Sequence, residues 1–289
     1  MLLYELLGME LEDPFIVASG IIPNHGSSMR EFCIQYRPSA ITTKSFTLSP
    51  LDPHPPPTVI KVGECYMNAV GLANPGKDGL RSLDVPCKLI YSLAGSSPEE
   101  FGELASLVPK GSPIELNLSS PNRRGMGDSI APMVREVVRE VRSHTDNGIL
   151  VKFGPRDDVV KLAGRALEAG ANGLTLINTL KGMAIDVWEG KPILTYGTGG
   201  ISGKCIHQLA VRVVGEVYRE YGTEIVGVGG IYGWADAVEL MLAGAKVVAV
   251  GTAIIDRGPT VLNEIREDFH RFLEEKGINA TELVGAAVR

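Results

Sequence analysis

Eight short apolar runs, separated by segments long enough to hold a helix, constrain this chain more than any other feature. They span 14–18, 39–44, 88–93, 114–119, 148–153, 173–178, 224–228 and 246–250. Parallel strands are covered on both faces, so they read as near-continuous hydrophobic runs. Amphipathic segments lie between several of them. Segment 98–108 has Ser97 as a candidate N-cap and Glu99 and Glu100 in its first turn. Segment 130–141 sets Met133, Val134, Val137, Val138 and Val141 on one stripe. Segments 157–169, 234–242 and 261–275 each run into a glycine suited to end a helix: Gly170, Gly244 and Gly277. Strand and helix alternating eight times predict an α/β fold, a (β/α)8 TIM barrel, with residues 1–289 forming one domain. An open doubly wound sheet is the alternative. That fold would carry its glycine fingerprint after the first strand, whereas here the glycine clusters follow the last strands.

Three connections are too long to be simple turns: 47–84, 121–129 and 181–204. All follow the C-terminal ends of predicted strands, where barrels build their active sites. Composition narrows the function classes. With 44% hydrophobic and 21% charged residues, the chain reads as a soluble globular protein. A net charge of −6 without a basic run argues against nucleic-acid binding. No apolar run reaches the length of a membrane span, and the N-terminal MLLYELLGMELEDPF lacks the basic start of a secretion signal. The expectation is a cytoplasmic protein. Cys33, Cys65, Cys87 and Cys205 show no CxxC spacing, so they are expected to be reduced thiols, with no metal site.

Four groups of residues could carry chemistry. Gly227-Val228-Gly229-Gly230 ends the seventh run, and Gly251-Thr252 follows the eighth. One such cluster is an ordinary tight turn. Two, after the strands that barrels use for phosphate, favour a phosphate-bearing ligand. Segment 197–203 (GTGGISG) could close over the same ligand. Lys44 and Lys152 interrupt apolar strands near their C-terminal ends. Either could snorkel to the rim, but two together fit stabilisation of developing negative charge. Asn68, Asn117, Asn122 and Asn178, with Thr179, fall at or beyond strand ends. Singly they read as turn residues. As a ring they suit a ligand with alternating amide N–H and C=O groups. Finally, Ser119-Ser120-Pro121 follows the fourth strand. None of the five histidines, His25, His54, His144, His207 and His270, lies in a recognisable triad motif, so a hydrolase reading is weak.

Taken in order, these segments resemble the dihydroorotate dehydrogenase family from Asp13-Pro14 to about Ala253. The most specific is Asn117-Leu118-Ser119-Ser120-Pro121-Asn122, which is similar to the family's active-site loop. Thr43-Lys44-Ser45, 68–76 (NAVGLANPG), Val151-Lys152, Ile177-Asn178-Thr179, 199–203 (GGISG) and Gly227-Val228-Gly229-Gly230 accompany it. The resemblance implies oxidation of dihydroorotate to orotate in pyrimidine biosynthesis, with FMN bound at the top of the barrel. It places the phosphate on Gly229, Gly230, Gly251 and Thr252. It lines the remaining flavin with Ser19, Lys44, Ser45, Ser92, Asn117, Lys152, Ile177 and Gly203; at Ser92 some relatives have asparagine. It surrounds the substrate with Lys44, Asn68, Gly71, Leu72, Asn117, Asn122, Asn178 and Thr179. Ser120 takes the position of the base, where soluble class 1 members usually have cysteine and membrane-associated class 2 members have serine. The remaining segments resemble class 1. The resemblance further implies a homodimer or hetero-oligomer, with any iron–sulfur or FAD relay in a partner subunit. A flavin enzyme acting on another dihydropyrimidine, a flavin-free phosphate-binding barrel isomerase or lyase, and a non-catalytic phosphate-binding subunit are the competing readings.

Overall fold

The computed structural model describes residues 4–119, 130–156 and 158–289. Eight parallel strands close into a barrel in strict chain order: Phe15–Val17, Ile41–Thr42, Leu89–Leu93, Ile114–Asn117, Ile149–Phe153, Gly173–Leu176, Glu224–Val228 and Val247–Val250. The last pairs with the first through Val248–Phe15 and Val250–Val17. Each of the eight predicted runs supplies one barrel strand. The second is the most shortened, so Lys44 stands two residues beyond its strand. The predicted helix over 130–141 divides into a 3₁₀ turn, Ala131–Met133, and an α-helix, Val134–His144. Ser97 occupies the N-cap position without a side-chain capping bond. Helices Gly26–Tyr36 and His207–Tyr221 also cover the barrel.

Two apolar clusters follow from the strand alternation. Outward residues such as Phe15, Val17, Leu116 and Val151 pack under the helices. Inward residues Ile16, Ile90, Leu150, Val226 and Val247 fill the lower barrel. An N-terminal hairpin, Tyr4–Leu6 with Met9–Leu11, plugs this end and adds Leu6, Met9 and Leu11 to the inner cluster. Two residues further along the strands the inward positions turn polar. Ser92 follows Ile90, and Lys152 follows Leu150; Glu115 and Asn117 pair in register with Leu150 and Lys152. The barrel is thus apolar at its base and polar beneath its C-terminal face.

The long connections after strands two and six meet above that face. Val59–Val62, Cys65–Asn68, Gly199–Gly203 and Leu180–Gly182 form one antiparallel sheet. In it Asn68 pairs with Gly200, and Cys65 with Gly203.

The expectation of four reduced cysteines is overturned. Cys33 is bonded to Cys87, and Cys65 to Cys205. The partners are 54 and 140 residues apart, so no local spacing announces them. Pairing of Cys65 with Gly203 in the upper sheet carries Cys205, two residues on, to within 6.0 Å between Cα atoms.

Candidate functional site

One cleft opens at the C-terminal face, roofed by the upper sheet. Its lining gathers Ser19, Lys44, Ser45, Asn117, Lys152, Ile177, Gly203, Gly229, Gly230, Gly251 and Thr252. Asn68, Leu72, Asn178 and Thr179 line it too. These positions come from the ends of the barrel strands and from both arms of the upper sheet, so the fold is what unites them.

Two sequence-predicted residues stand off the cleft. Ser92 is fully buried behind Ser45, with 2.9 Å between their hydroxyls. Gly71 lies against the ring of His54: a Cβ built on Gly71 would stand 2.6 Å from Nε2. That ring stacks on Tyr196 and bonds the Ala69 carbonyl through Nδ1. Ser120 and Asn122 lie outside the described residues.

The floor is a directed hydrogen-bond chain. Asn178 Nδ2 donates to Asn117 Oδ1 (3.2 Å), and Asn117 Nδ2 donates to Ser45 Oγ (3.0 Å). Ser92 Oγ donates to Glu115 Oε1 (3.1 Å). Because Ser92 gives its proton to the carboxylate, the Ser45 hydroxyl is the donor in the bond between the two serines. The chain therefore runs from Asn178 to Glu115 and fixes both amide orientations. Glu115 also faces Lys152 Nζ at 3.6 Å, and both side chains are buried. Ser119 is held by its neighbours: its Oγ donates to the Lys152 carbonyl and accepts from Asn178 Nδ2.

Lys44 differs from Lys152. Among the described residues no carboxylate pairs with its ammonium, and burial alone lowers its pKa below the usual lysine value. Asn24 clamps its backbone, accepting from Lys44 N–H (2.9 Å) and donating to its carbonyl (2.7 Å). Sequence reasoning missed Asn24, whose one signal is its place in the loop after the first strand.

Gly229 (φ +142°) and Gly230 (φ +67°) turn the chain after strand seven. A Cβ on Gly229 would stand 2.8 Å from that of Ala210, and one on Gly230 would stand 2.7 Å from that of His207. Only bare backbone fits here. Tyr232, two residues on, lines the cleft, and its buried hydroxyl lies beside the Asp256 carboxylate. Burial first, and the Asp256 carboxylate second, push its pKa up to about 12. Asp256 itself accepts from Lys61 Nζ (2.6 Å) and Tyr66 Oη (2.7 Å) at the rim. The rim cluster, with the exposed Val59 and Ile255, went unread in the sequence because these residue types are ordinary in surface loops.

Segment 197–203 contributes a strand, Gly199–Gly203, to the sheet that roofs the cleft. A Cβ on Gly199 would meet the Asn68 carbonyl at 2.7 Å, and one on Gly200 would meet Thr179 Oγ1 at 2.1 Å. These two glycines let the sheet pack onto cleft residues, and of the three glycines in 199–203 only Gly203 joins Ser202 in lining the cleft.

The dihydroorotate dehydrogenase family model matches residues 1–273. The catalytic subunit of dihydroorotate dehydrogenase B (NAD(+)) from Sulfolobus acidocaldarius is 52% identical over 289 residues, covering 99% of each chain. The protein of the same name from Saccharolobus solfataricus is 50% identical over 281 residues, 96% of this chain and 97% of that one. A crystal structure of DHODH from Eimeria tenella shares the fold with a TM-score of 0.83 at 21% identity, over 99% of this chain and 88% of that one. On the span of the family match and the identity to both catalytic subunits, the chain belongs to the dihydroorotate dehydrogenase family.

Proposed function

We propose that the protein oxidises dihydroorotate to orotate in pyrimidine biosynthesis, using FMN held in the cleft. The observation that carries this reading is the union of two unlike halves in one cleft. The bare-backbone turn Gly229–Gly230 and the polar set Lys44, Asn68, Asn178 and Thr179 line it together. The names of the two catalytic subunits similar to this chain support the substrate.

The residues present fit FMN. The Gly229–Gly230 turn admits no Cβ, which suits close approach of backbone N–H groups to a phosphate. Tyr232 adds a buried hydroxyl to the cleft lining. Ser45, Asn117 and Lys152 add polar groups to the lining, as the carbonyl and nitrogen edge of a flavin ring requires.

When bound, FMN supplies the acceptor for the hydride leaving C6 of dihydroorotate. The chain's own residues do the rest. Lys44 sets a cation against the substrate carboxylate. Asn68, Asn178 and Thr179, with Asn122, exchange hydrogen bonds with its ring amides. Asn117 and Asn178 are pre-oriented by the chain of bonds ending on Glu115, so little ordering remains for the moment of binding. Ser120 takes the proton from C5. A hydroxyl is a weak base, so polar neighbours must assist its ionisation. Since Cys33, Cys65, Cys87 and Cys205 are all in disulfides, thiolates for an iron–sulfur relay come from a second subunit, which passes electrons on to NAD. The words NAD(+) and catalytic subunit in the relatives' names support that route.

Anaerobic mixing of the flavin-loaded protein with dihydroorotate tests the reading. Bleaching of the flavin absorbance is expected, and Ser120→Ala is expected to keep the flavin and lose the bleaching. A protein that does not retain FMN, or that is bleached by dihydrouracil and not by dihydroorotate, overturns it.

A further inference from the structure

Behind the glycine turn, outside the cleft lining, stands a buried histidine. His207 opens the helix His207–Tyr221 and is 2% exposed. It packs tightly on the turn: a Cβ on Gly230 would stand 2.7 Å from the Cβ of His207 and 3.0 Å from its Cα. Its two ring nitrogens face two oxygens. Nδ1 is 2.8 Å from the Gly229 carbonyl, and Nε2 is 3.0 Å from Glu239 Oε2, with Asp236 Oδ1 at 3.7 Å.

A carbonyl oxygen and a carboxylate only accept hydrogen bonds. A neutral imidazole carries one donor and one acceptor, so it would aim a lone pair at one of them. The ring that satisfies both holds two protons and one positive charge. The charged groups around it are Lys204, from the turn Lys204–Ile206, and Asp236 and Glu239, from the helix Trp234–Ala243. Lys204 pairs with Asp236, which also accepts from the backbone N–H groups of Tyr232 (2.9 Å) and Gly233 (3.0 Å). The carboxylates therefore lie on the Nε2 side of the ring, and the glycine turn on the Nδ1 side.

The carbonyl that His207 engages belongs to the same peptide unit as the N–H of Gly230. A charged donor on that oxygen polarises the unit and strengthens its N–H as a donor. We propose that His207 is a buried cation that polarises the Gly229–Gly230 peptide and so tightens its grip on a phosphate group. His207 is thus a positioning residue, and the proposal deepens the reading of the cleft as an FMN site, on which it rests.

Two measurements test it. In the wild-type protein labelled with 15N-histidine, both ring nitrogens of His207 are expected to carry protons at neutral pH, and one unprotonated nitrogen overturns the proposal. Flavin-stripped wild-type and His207→Gln proteins are then titrated with FMN and with riboflavin, which lacks the phosphate. The variant is expected to bind FMN about tenfold more weakly, with riboflavin affinity unchanged. Equal weakening of both flavins would mean a merely structural role and overturns the proposal. Failure of the wild-type protein to bind either flavin sinks the FMN reading instead, and the two failures are distinct. The NMR measurement stands even where the variant does not fold.

Discussion

Lys152 and Glu115 compensate each other inside the barrel, and each is a liability without the other. Both are buried, 3.6 Å apart, and Glu115 also terminates the hydrogen-bond chain from Asn178. Removing one partner of a buried pair leaves the other charge stranded, at a cost of about 3 kcal/mol. Glu115→Gln is therefore expected to lower the unfolding free energy by about that amount in urea titrations. Adding Lys152→Met should recover most of the loss without restoring dihydroorotate oxidation, because one of the two lysine cations lining the cleft is then gone. Lys44 makes a pH prediction. Its pKa is lowered by burial, and only its cationic form attracts a carboxylate. Orotate affinity should hold at lower pH and fall as pH rises through the Lys44 pKa, earlier than an ordinary lysine would dictate. Flavin absorbance titrations with orotate from pH 7 upward measure this, and Lys44→Met should remove the alkaline fall along with most of the affinity.

Among the elements, the upper sheet deserves comparison with the barrel it covers. The barrel was legible because its strands are covered on both sides and read as apolar runs. Even the two-residue strand Ile41–Thr42 was found this way. The upper sheet was not legible. Val59–Val62 is mostly exposed and lies in a proline-rich segment, and its neighbour Cys65–Asn68 pairs with Gly199–Gly203, more than 130 residues away in the case of Asn68 and Gly200. No periodicity in one segment reports a partner that distant. For the same reason nothing in the sequence told that two glycines of 197–203 serve close packing in that sheet. Gly200→Ala puts a methyl group 2.1 Å from Thr179 Oγ1 and must displace it or the sheet. A loss of about 1–3 kcal/mol is expected in thermal or urea unfolding, together with a raised KM for dihydroorotate as Thr179 is moved. Most polar groups of the cleft were found because they end or follow a barrel strand, as Asn117, Lys152 and Asn178 do. Tyr66, Tyr232 and Asn24 were missed because their roles depend on where the loops fold back.

The whole molecule is tied across its length by the two disulfides. In the chain-entropy description, loops of 54 and 140 residues each stabilise by about 4 kcal/mol or more, with less than full additivity because the loops overlap. Reduction with a strong thiol reagent is expected to lower Tm by roughly 5 °C or more in calorimetry. The order of the cysteines along the chain adds a property that no single bond has. Cys33 and Cys65 precede Cys87 and Cys205, each joined to the one two places on, so the two loops interleave. A cut between Cys33 and Cys65, or between Cys87 and Cys205, leaves the halves joined by one bond, and a cut between Cys65 and Cys87 leaves them joined by two. The long connections 47–84, 121–129 and 181–204 all fall inside this span. A protease that nicks any of them releases no fragment: the severed chain should run as one band on a non-reducing gel and separate only after reduction.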